Sequence, residues 1–224
     1  MNLRKWIFTA ALAIFLSVYQ SCFAFNNGDF QYWSGANASV GIYKNWKAVF
    51  EEEFRLGDNA ERLFYHHSDI GFVYSGFADW LDLGFNYRQV YEKDSGGFGK
   101  WRQENRPHFN LTVKGKLFGL DVSDRSRIEY RHRENSDDFW RYRNKATVKF
   151  PLKLTSLKMQ PYIADEVFFS SNGQGFDRNR FYAGFTIPLL KCLSGDVYYM
   201  IQTSKSDSEW TDTNVFGTAL KFSF

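Results

Sequence analysis

The chain has 224 residues, enough for one domain of moderate size, and its 28 basic and 25 acidic residues nearly balance. This balance excludes the strongly basic surface that nucleic-acid binding requires. Aromatic residues make up 20% of a chain whose mean hydropathy is −0.45. That combination is unusual for a soluble core and typical of a membrane barrel, which places aromatic girdles at both lipid–water interfaces.

The N-terminal segment has the organisation of an export signal. Arg4 and Lys5 precede an apolar run, and 22–24 (Cys-Phe-Ala) offers small residues at the two positions that a signal peptidase reads. The run is too short for a spanning helix and ends at a cleavage site. The sequence therefore predicts a signal peptide at 1–24 and a single mature domain at 25–224.

The cysteines leave one alternative open. Cleavage before Cys22 would make a lipoprotein, although Tyr19 stands where the lipidation motif has an aliphatic residue. In either case Cys192 is the one cysteine outside the leader, so no disulfide is possible within the rest of the chain. No later stretch approaches the 18 or so apolar residues that a spanning helix needs.

The mature region alternates polar and apolar residues with a period of two, which is the pattern of β-strands. In chain order the strand candidates are 30–43, 46–56, 63–75, 80–92, 101–114, 120–132, 139–150, 159–170, 177–187, 195–205 and 213–224. A closed bacterial barrel normally has an even number of strands. We therefore predict an all-β fold, an antiparallel transmembrane β-barrel of about 10–12 strands.

Alternation alone would also suit a soluble sandwich or a lipocalin-like barrel. Three features favour the membrane: runs long enough to cross it, a densely charged face that a wet lumen tolerates, and short connections that alternate with longer polar ones. The predicted location is the outer membrane of a Gram-negative bacterium. Tryptophans near the ends of runs are predicted to anchor the barrel at the interfaces: Trp33, Trp46, Trp80, Trp101, Trp140 and Trp210.

The last run ends in an aromatic residue, with Leu220, Phe222 and Phe224 on one face. This resembles the C-terminal signal that outer-membrane proteins present to the barrel-assembly machinery. The expected partners are that machinery and periplasmic chaperones during biogenesis, and then outer-membrane lipid and lipopolysaccharide. We expect no nucleic-acid partner and no cofactor.

Several segments along the chain carry a family resemblance: 29–33, 46–53, Arg62, 69–71, 87–88, 104–108, 161–162 and 165–166. Two of them read Asp-Phe-Gln-Tyr-Trp and Glu-Asn-Arg-Pro-His. Together they resemble a family of bacterial outer-membrane proteins that is catalogued as domain of unknown function 2490. The resemblance implies a barrel over nearly the whole mature chain and supplies neither an activity nor catalytic residues.

The strongest candidate site is a charged lumen face on the three runs between 101 and 150, namely Arg102, Glu104, Arg106, Arg125, Arg127, Glu129, Arg131, Arg141, Arg143 and Lys145. If the hairpins turn symmetrically, Glu129 faces Arg143 and Arg106, and Glu104 lies beside Arg131. One interpretation is a structural barrel whose lumen is closed by carboxylate–guanidinium pairs.

The other interpretation is a narrow porin-like channel for small charged solutes. Acidic residues are predicted at inward positions elsewhere around the barrel, at Glu51, Glu53, Asp69 and Glu166. An acidic wall opposite a basic one would set up a transverse field across the lumen, as porin constrictions do.

A hydrolase is the alternative from a different class. His66 and Ser68 share the outward face of one run, and Glu52 lies on the outward face of the preceding run. A Ser–His–Glu arrangement would let His66 take the proton of Ser68 while Glu52 fixes the tautomer. Ordinary polar residues near the outer interface would look the same, and we expect no enzyme. The four histidines show no metal-ligand spacing.

Overall fold

The computed structural model describes residues 27–94, 99–134, 136–206 and 209–224; the predicted signal peptide lies outside them. Within these ranges the chain forms 11 strands: β1 Asp29–Tyr43, β2 Trp46–Gly57, β3 Arg62–Ala78, β4 Leu81–Lys93, β5 Trp101–Leu117, β6 Leu120–Arg133, β7 Phe139–Lys149, β8 Gln160–Ser170, β9 Gly175–Leu190, β10 Leu193–Ser206 and β11 Glu209–Ser223. The described residues contain no helix that is long and apolar enough to cross a membrane.

The strands close into one barrel in which each strand pairs with its neighbours in sequence. All consecutive pairs are antiparallel, while the closing pair, β1 with β11, is parallel from Asp29 opposite Thr213 to Ser39 opposite Ser223. A parallel closure follows from an odd strand number, because the first and last strands then run in the same direction. The all-β barrel and its predicted strand number are confirmed.

The two ends of the barrel differ in their connections. One end, here the turn end, carries the two-residue connections 44–45, 79–80, 118–119 and 191–192, and β11 finishes there. Phe118 and Gly119 both have positive φ, 50° and 82°, which suits the twist of a two-residue hairpin. The opposite end, the loop end, carries the start of β1 and the connection after β4. A ten-residue connection between β7 and β8 is the exception at the turn end.

The alternating pattern gives the barrel an apolar outer surface and a charged interior. Large apolar side chains lie exposed on the outer face, among them Phe30, Phe50, Ile70, Phe72, Phe85, Phe109, Ile128, Ile163, Phe181 and Phe216. Charged side chains at the intervening positions are buried, among them Asp69, Arg88, Arg106, Arg127, Glu129, Arg143 and Glu166. A soluble domain has the reverse arrangement.

Trp33 does not lie at an interface, so that part of the girdle prediction is wrong. It occupies the inward face of β1, is 3% exposed, and donates from Nε1 to Oε1 of Gln31 at 2.9 Å. The guanidinium carbon of Arg55 lies 3.6 Å from the centre of its ring. Of the other tryptophans named above, Trp80 is exposed in the 79–80 connection at the turn end, and the rest are exposed on the outer face: Trp46, Trp101, Trp140 and Trp210.

Candidate functional site in the charged lumen

The centre of the lumen is the carboxylate of Glu129, which is 1% exposed. It accepts hydrogen bonds from Nη2 of Arg141 at 2.6 Å and Nη1 of Arg143 at 2.8 Å. Nη1 of Arg127 lies 3.6 Å away. One carboxylate on β6 therefore binds guanidinium groups from both β6 and β7, and hydrogen bonds between charged groups are strong in such surroundings.

From Glu129 the contacts continue toward β10. Arg143 also donates to Glu166 on β8 at 2.7 Å, and Glu166 accepts the hydroxyl of Tyr182 at 3.1 Å. Nη1 of Arg180 on β9 lies 3.7 Å from Oε2 of Glu166, the oxygen that also accepts Tyr182. Nε of Arg180 donates to Gln202 on β10 at 2.8 Å.

In the other direction the contacts run back toward β4 through two amides. Nε of Arg127 donates to Asn110 at 2.6 Å, and the amide of Asn110 donates to Asn86 at 3.0 Å. Asn86 in turn donates to Asp69 on β3 at 2.8 Å. Each amide uses its carbonyl oxygen and its NH2 group, so the inner side chains of β3 to β6 are joined directly.

Arg88 links this row of hydrogen bonds to β2. Its Nε donates to Asp69 at 2.8 Å and its Nη2 to Glu51 at 2.9 Å. His67, which is fully buried, lies 2.8 Å from the same oxygen of Glu51. The contacts from Glu51 to Gln202 thus cross nine strands, β2 to β10, and we call this set the lumen network.

A second ion cluster lies nearer the loop end. The carboxylate of Glu104 accepts Nη2 of Arg106 at 2.9 Å and Nη2 of Arg131 at 2.7 Å. Arg102 lies outside it: its side chain is 50% exposed at the loop end and pairs with Asp94. The structure therefore brings Glu104 and Arg131 together as the hairpin argument suggested, and leaves Arg102 at the mouth.

Aromatic rings fill part of the lumen between the ion pairs. Phe168 is 1% exposed, and the guanidinium carbons of Arg143 and Arg180 lie 4.7 and 4.8 Å from its ring centre. Arg55 lies between Trp33 and Tyr65, 3.9 Å from the ring of Tyr65. Cation–π contacts of this kind give partial compensation for guanidinium groups that have lost water.

The predicted strand register is wrong by two residues. Glu129 lies opposite Arg141 on β7 and opposite His108 on β5, not opposite Arg143 and Arg106. Neither hairpin turns about the symmetrical centre that the prediction assumed. The side chain of Glu129 nevertheless reaches Arg143 diagonally, whereas Arg106 binds Glu104 on its own strand.

The acidic residues predicted at inward positions do not form a wall free of cations among the described residues, and the transverse field stays a prediction. Each predicted acidic residue binds a basic one: Glu51 and Asp69 share Arg88, and Glu53 binds Arg55 at 2.6 Å. Glu166 lies on β8, directly beside the basic strand β7. Three further arginines that the predicted lumen set does not include are Arg55, Arg88 and Arg180. All three stand at inward positions of alternating runs.

Water exposure falls steeply along β5 and β6 from the turn end inward. The exposed fraction of the side chain is 79% at Lys116, 43% at Lys114, 34% at Arg125, 6% at Arg127 and 1% at Glu129. On the far side of Glu129 it is 13% at Arg131. In the part of the chain that the structure describes, the side chains of the lumen network are therefore the least exposed to water along these two strands.

A cavity remains on the turn-end side of the network. It consists of two adjoining spaces of about 230 and 260 Å³ that share five lining residues, Arg125, Lys145, Tyr162, Asp196 and Lys221. We call the space at the mouth, the one that Lys149 also lines, the turn-end vestibule.

Outside the lumen, the polar residues on the outer face do not form a proton relay. The hydroxyl of Ser68 donates directly to Glu52 at 2.6 Å. The ring of His66 stacks instead on Tyr91 and Phe54, with centroids 4.9 and 5.9 Å apart. Among the described residues, no three His, Cys, Asp or Glu side chains are grouped as metal ligands.

An up-and-down β-barrel with an apolar exterior and an internally paired, charged lumen is the class that this fold and site define. The chain belongs to the family described as protein of unknown function, DUF2490, whose sequence model matches residues 30–213. The match begins in β1 and ends in β11, so it covers the barrel. The family resemblance is confirmed. No curated protein sequence matches the chain.

Proposed function

We propose that the protein is an outer-membrane β-barrel whose lumen is closed, a membrane-embedded structural barrel and not an open pore. The observation that carries the closure is the fall in exposure to 1% at Glu129, inside a network that joins β2 to β10. Parting that network would leave several guanidinium groups without partners in a space that excludes water, which is costly.

The outer surface supports the membrane location. Phe72, Phe85 and Phe109 are 49, 62 and 44% exposed and lie side by side on β3, β4 and β5. An exposed apolar surface that continues from strand to strand is far more than a soluble monomer tolerates, and it suits lipid. Closure of the barrel also leaves no unpaired strand edge, as a membrane requires.

The last strand supports assembly by the barrel-assembly machinery. Leu220 and Phe224 are 43 and 71% exposed at the turn end of β11. The backbone of Phe224 is itself paired, since its N–H donates to Ser39 on β1 at 2.9 Å. Phe224 therefore belongs to the pairing of β1 with β11 that closes the barrel.

Two measurements test the proposal separately. Fractionation of cells that express the full chain should recover it in the outer membrane, as a protein whose mobility on gels changes with heating. Recovery as a soluble periplasmic protein would restore the lipocalin-like alternative. Planar-bilayer recording of the refolded mature chain should show no stable conductance. Steady single-channel steps would contradict the closed lumen and favour the porin-like channel.

A further inference from the structure

The turn-end vestibule has more positive charge than its own residues neutralise. Its lining contains four cationic side chains and one carboxylate, from Arg125, Lys145, Lys149, Lys221 and Asp196. The carboxylate of Asp196 is already bound by Lys221 and accepts the hydroxyl of Thr186 at 2.9 Å. The one carboxylate among the described lining residues is therefore engaged on the side of β9 to β11.

The opposite side of the vestibule, formed by β5 to β7, is basic. The guanidinium of Arg125 makes a single contact of 3.3 Å with Glu166, which Arg143 binds more closely. Neither Lys145 nor Lys149 is in contact with a carboxylate in the described part of the chain. In the strand ladders Lys145 is opposite Glu166, which Arg143 and Arg125 also bind, and Lys149 is opposite Asp121, which Lys116 also approaches. The ammonium of Lys145 instead lies 3.8 Å from the ring centre of Tyr182.

Hydroxyl groups lie among these cations. Thr112, Ser123 and Thr147 line the vestibule on three adjacent strands, and in the strand ladders Thr112 is opposite Arg125 and Ser123 is opposite Thr147. None of these three hydroxyls makes a side-chain hydrogen bond within the described ranges. Free hydroxyl donors beside ammonium groups that are only partly neutralised form a surface suited to the oxygens of an anion.

We propose that the turn-end vestibule binds a small solute with two or more negative charges on phosphate or carboxylate oxygens. Two charges are needed because Lys145 and Lys149 each face a carboxylate that other cations already bind, so both ammonium groups are only partly neutralised. The size of the space limits the ligand to a small molecule, and the lumen network closes its inner end. The vestibule is thus a binding pocket and does not lead to a passage through the barrel.

Calorimetric titration of the detergent-refolded mature chain with pyrophosphate, and separately with citrate, tests the site. The variant Lys145→Gln/Lys149→Gln should bind pyrophosphate at least tenfold more weakly than the unaltered protein. The control Lys153→Gln/Lys158→Gln removes the same charge from the exposed connection at the same end, and it should bind within twofold of the unaltered protein. The single variants Lys145→Gln and Lys149→Gln should each weaken binding of pyrophosphate, and they decide the matter if the double variant does not fold.

Equal weakening by the two Gln pairs would overturn the proposal, since it would assign binding to general charge. Failure of both pyrophosphate and citrate to bind would do the same, as would acetate binding as tightly as pyrophosphate. A phospholipid headgroup offers the same oxygens, so the titration is repeated with dihexanoyl-phosphatidic acid; tighter binding of that lipid would overturn a free solute as the ligand. Conductance is not read out here, so an open lumen would leave this result interpretable.

Discussion

Glu129 and Arg141 face each other across the β6–β7 ladder, and Oε2 of Glu129 accepts two hydrogen bonds from Arg141, at 2.9 and 2.6 Å. The second oxygen accepts Arg143 at 2.8 Å. Both oxygens of one buried carboxylate are therefore occupied by cations of the neighbouring strand. Arg127, on the same strand as Glu129, has a weaker contact with it and a separate hydrogen bond to Asn110.

This asymmetry predicts unequal effects of two substitutions. Glu129→Ala leaves the guanidinium groups of Arg141 and Arg143 close together without their shared counter-ion, and should lower the free energy of unfolding by about 3–5 kcal/mol. Arg127→Ala removes a cation from a cluster with a surplus of cations and should cost about 2 kcal/mol, mainly through its hydrogen bond to Asn110. Urea unfolding of the refolded protein measures both, and equal losses would show that the described pairing is wrong.

The lumen aromatic residues give a matched comparison on adjacent positions. Phe168 is 1% exposed among guanidinium groups, whereas Phe169 is 47% exposed on the outer face of the same strand. Phe168→Ala should cost about 3–5 kcal/mol, because it opens a cavity among cations that the ring separates. Phe169→Ala should cost about 1 kcal/mol in detergent, where the micelle fills the space. A larger loss for Phe169→Ala in the same unfolding assay would reverse the assignment of the two faces.

The strand positions could be predicted because a period-two pattern covers the chain and fixes which residues face inward. The register could not. A shift of one residue would turn every charged side chain outward, but a shift of two keeps all of them inside. The alternation therefore cannot distinguish Arg141 from Arg143 as the residue opposite Glu129, and that is the error in the predicted pairing.

Contacts between strands that are distant in sequence were also beyond the pattern. Trp33 meets Arg55 on the next strand but also Arg180, whose guanidinium carbon lies 4.9 Å from its ring. That second contact exists only because the barrel closes and brings β9 near β1. A tryptophan near a strand end favours an interface position on average, and only the position of its neighbours Asp29 and Gln31, also buried, shows that this face is inward.

The arrangement of Glu52, His66 and Ser68 on the outer face predicts that the protein does not hydrolyse lipid. Since Ser68 donates to Glu52 and His66 stacks on Tyr91, the histidine is not positioned to take the hydroxyl proton, and the Ser–His–Glu arrangement is not formed. The refolded protein should release no fatty acid from phospholipid or lipid A, and Ser68→Ala should change nothing. Release that Ser68→Ala abolishes would establish the hydrolase instead.

A carboxylate on the outer face offers a direct test of what surrounds the barrel. Asp165 is exposed on β8 between Ile163 and Val167, and its one described side-chain partner is the amide of Asn179, at 3.0 Å. In water such a residue is harmless, and Asp165→Val would lose a hydrogen bond and be neutral or slightly destabilising. In lipid an ionised carboxylate with a single amide partner is unfavourable, so Asp165→Val should raise the free energy of unfolding in lipid vesicles by about 1 kcal/mol.

The control for this substitution is Asp212→Val, near the loop end of β11. Asp212 is also exposed on the outer face, and its carboxylate accepts the hydroxyl of Thr203 at 2.7 Å. At the loop end the carboxylate is expected to be in water, so Asp212→Val should lose that hydrogen bond and become less stable, by about 1 kcal/mol. Opposite signs for the two variants are expected only if a lipid layer covers Asp165 and ends before Asp212. A loss of stability in both would mean that water or a partner protein, and not lipid, surrounds β8.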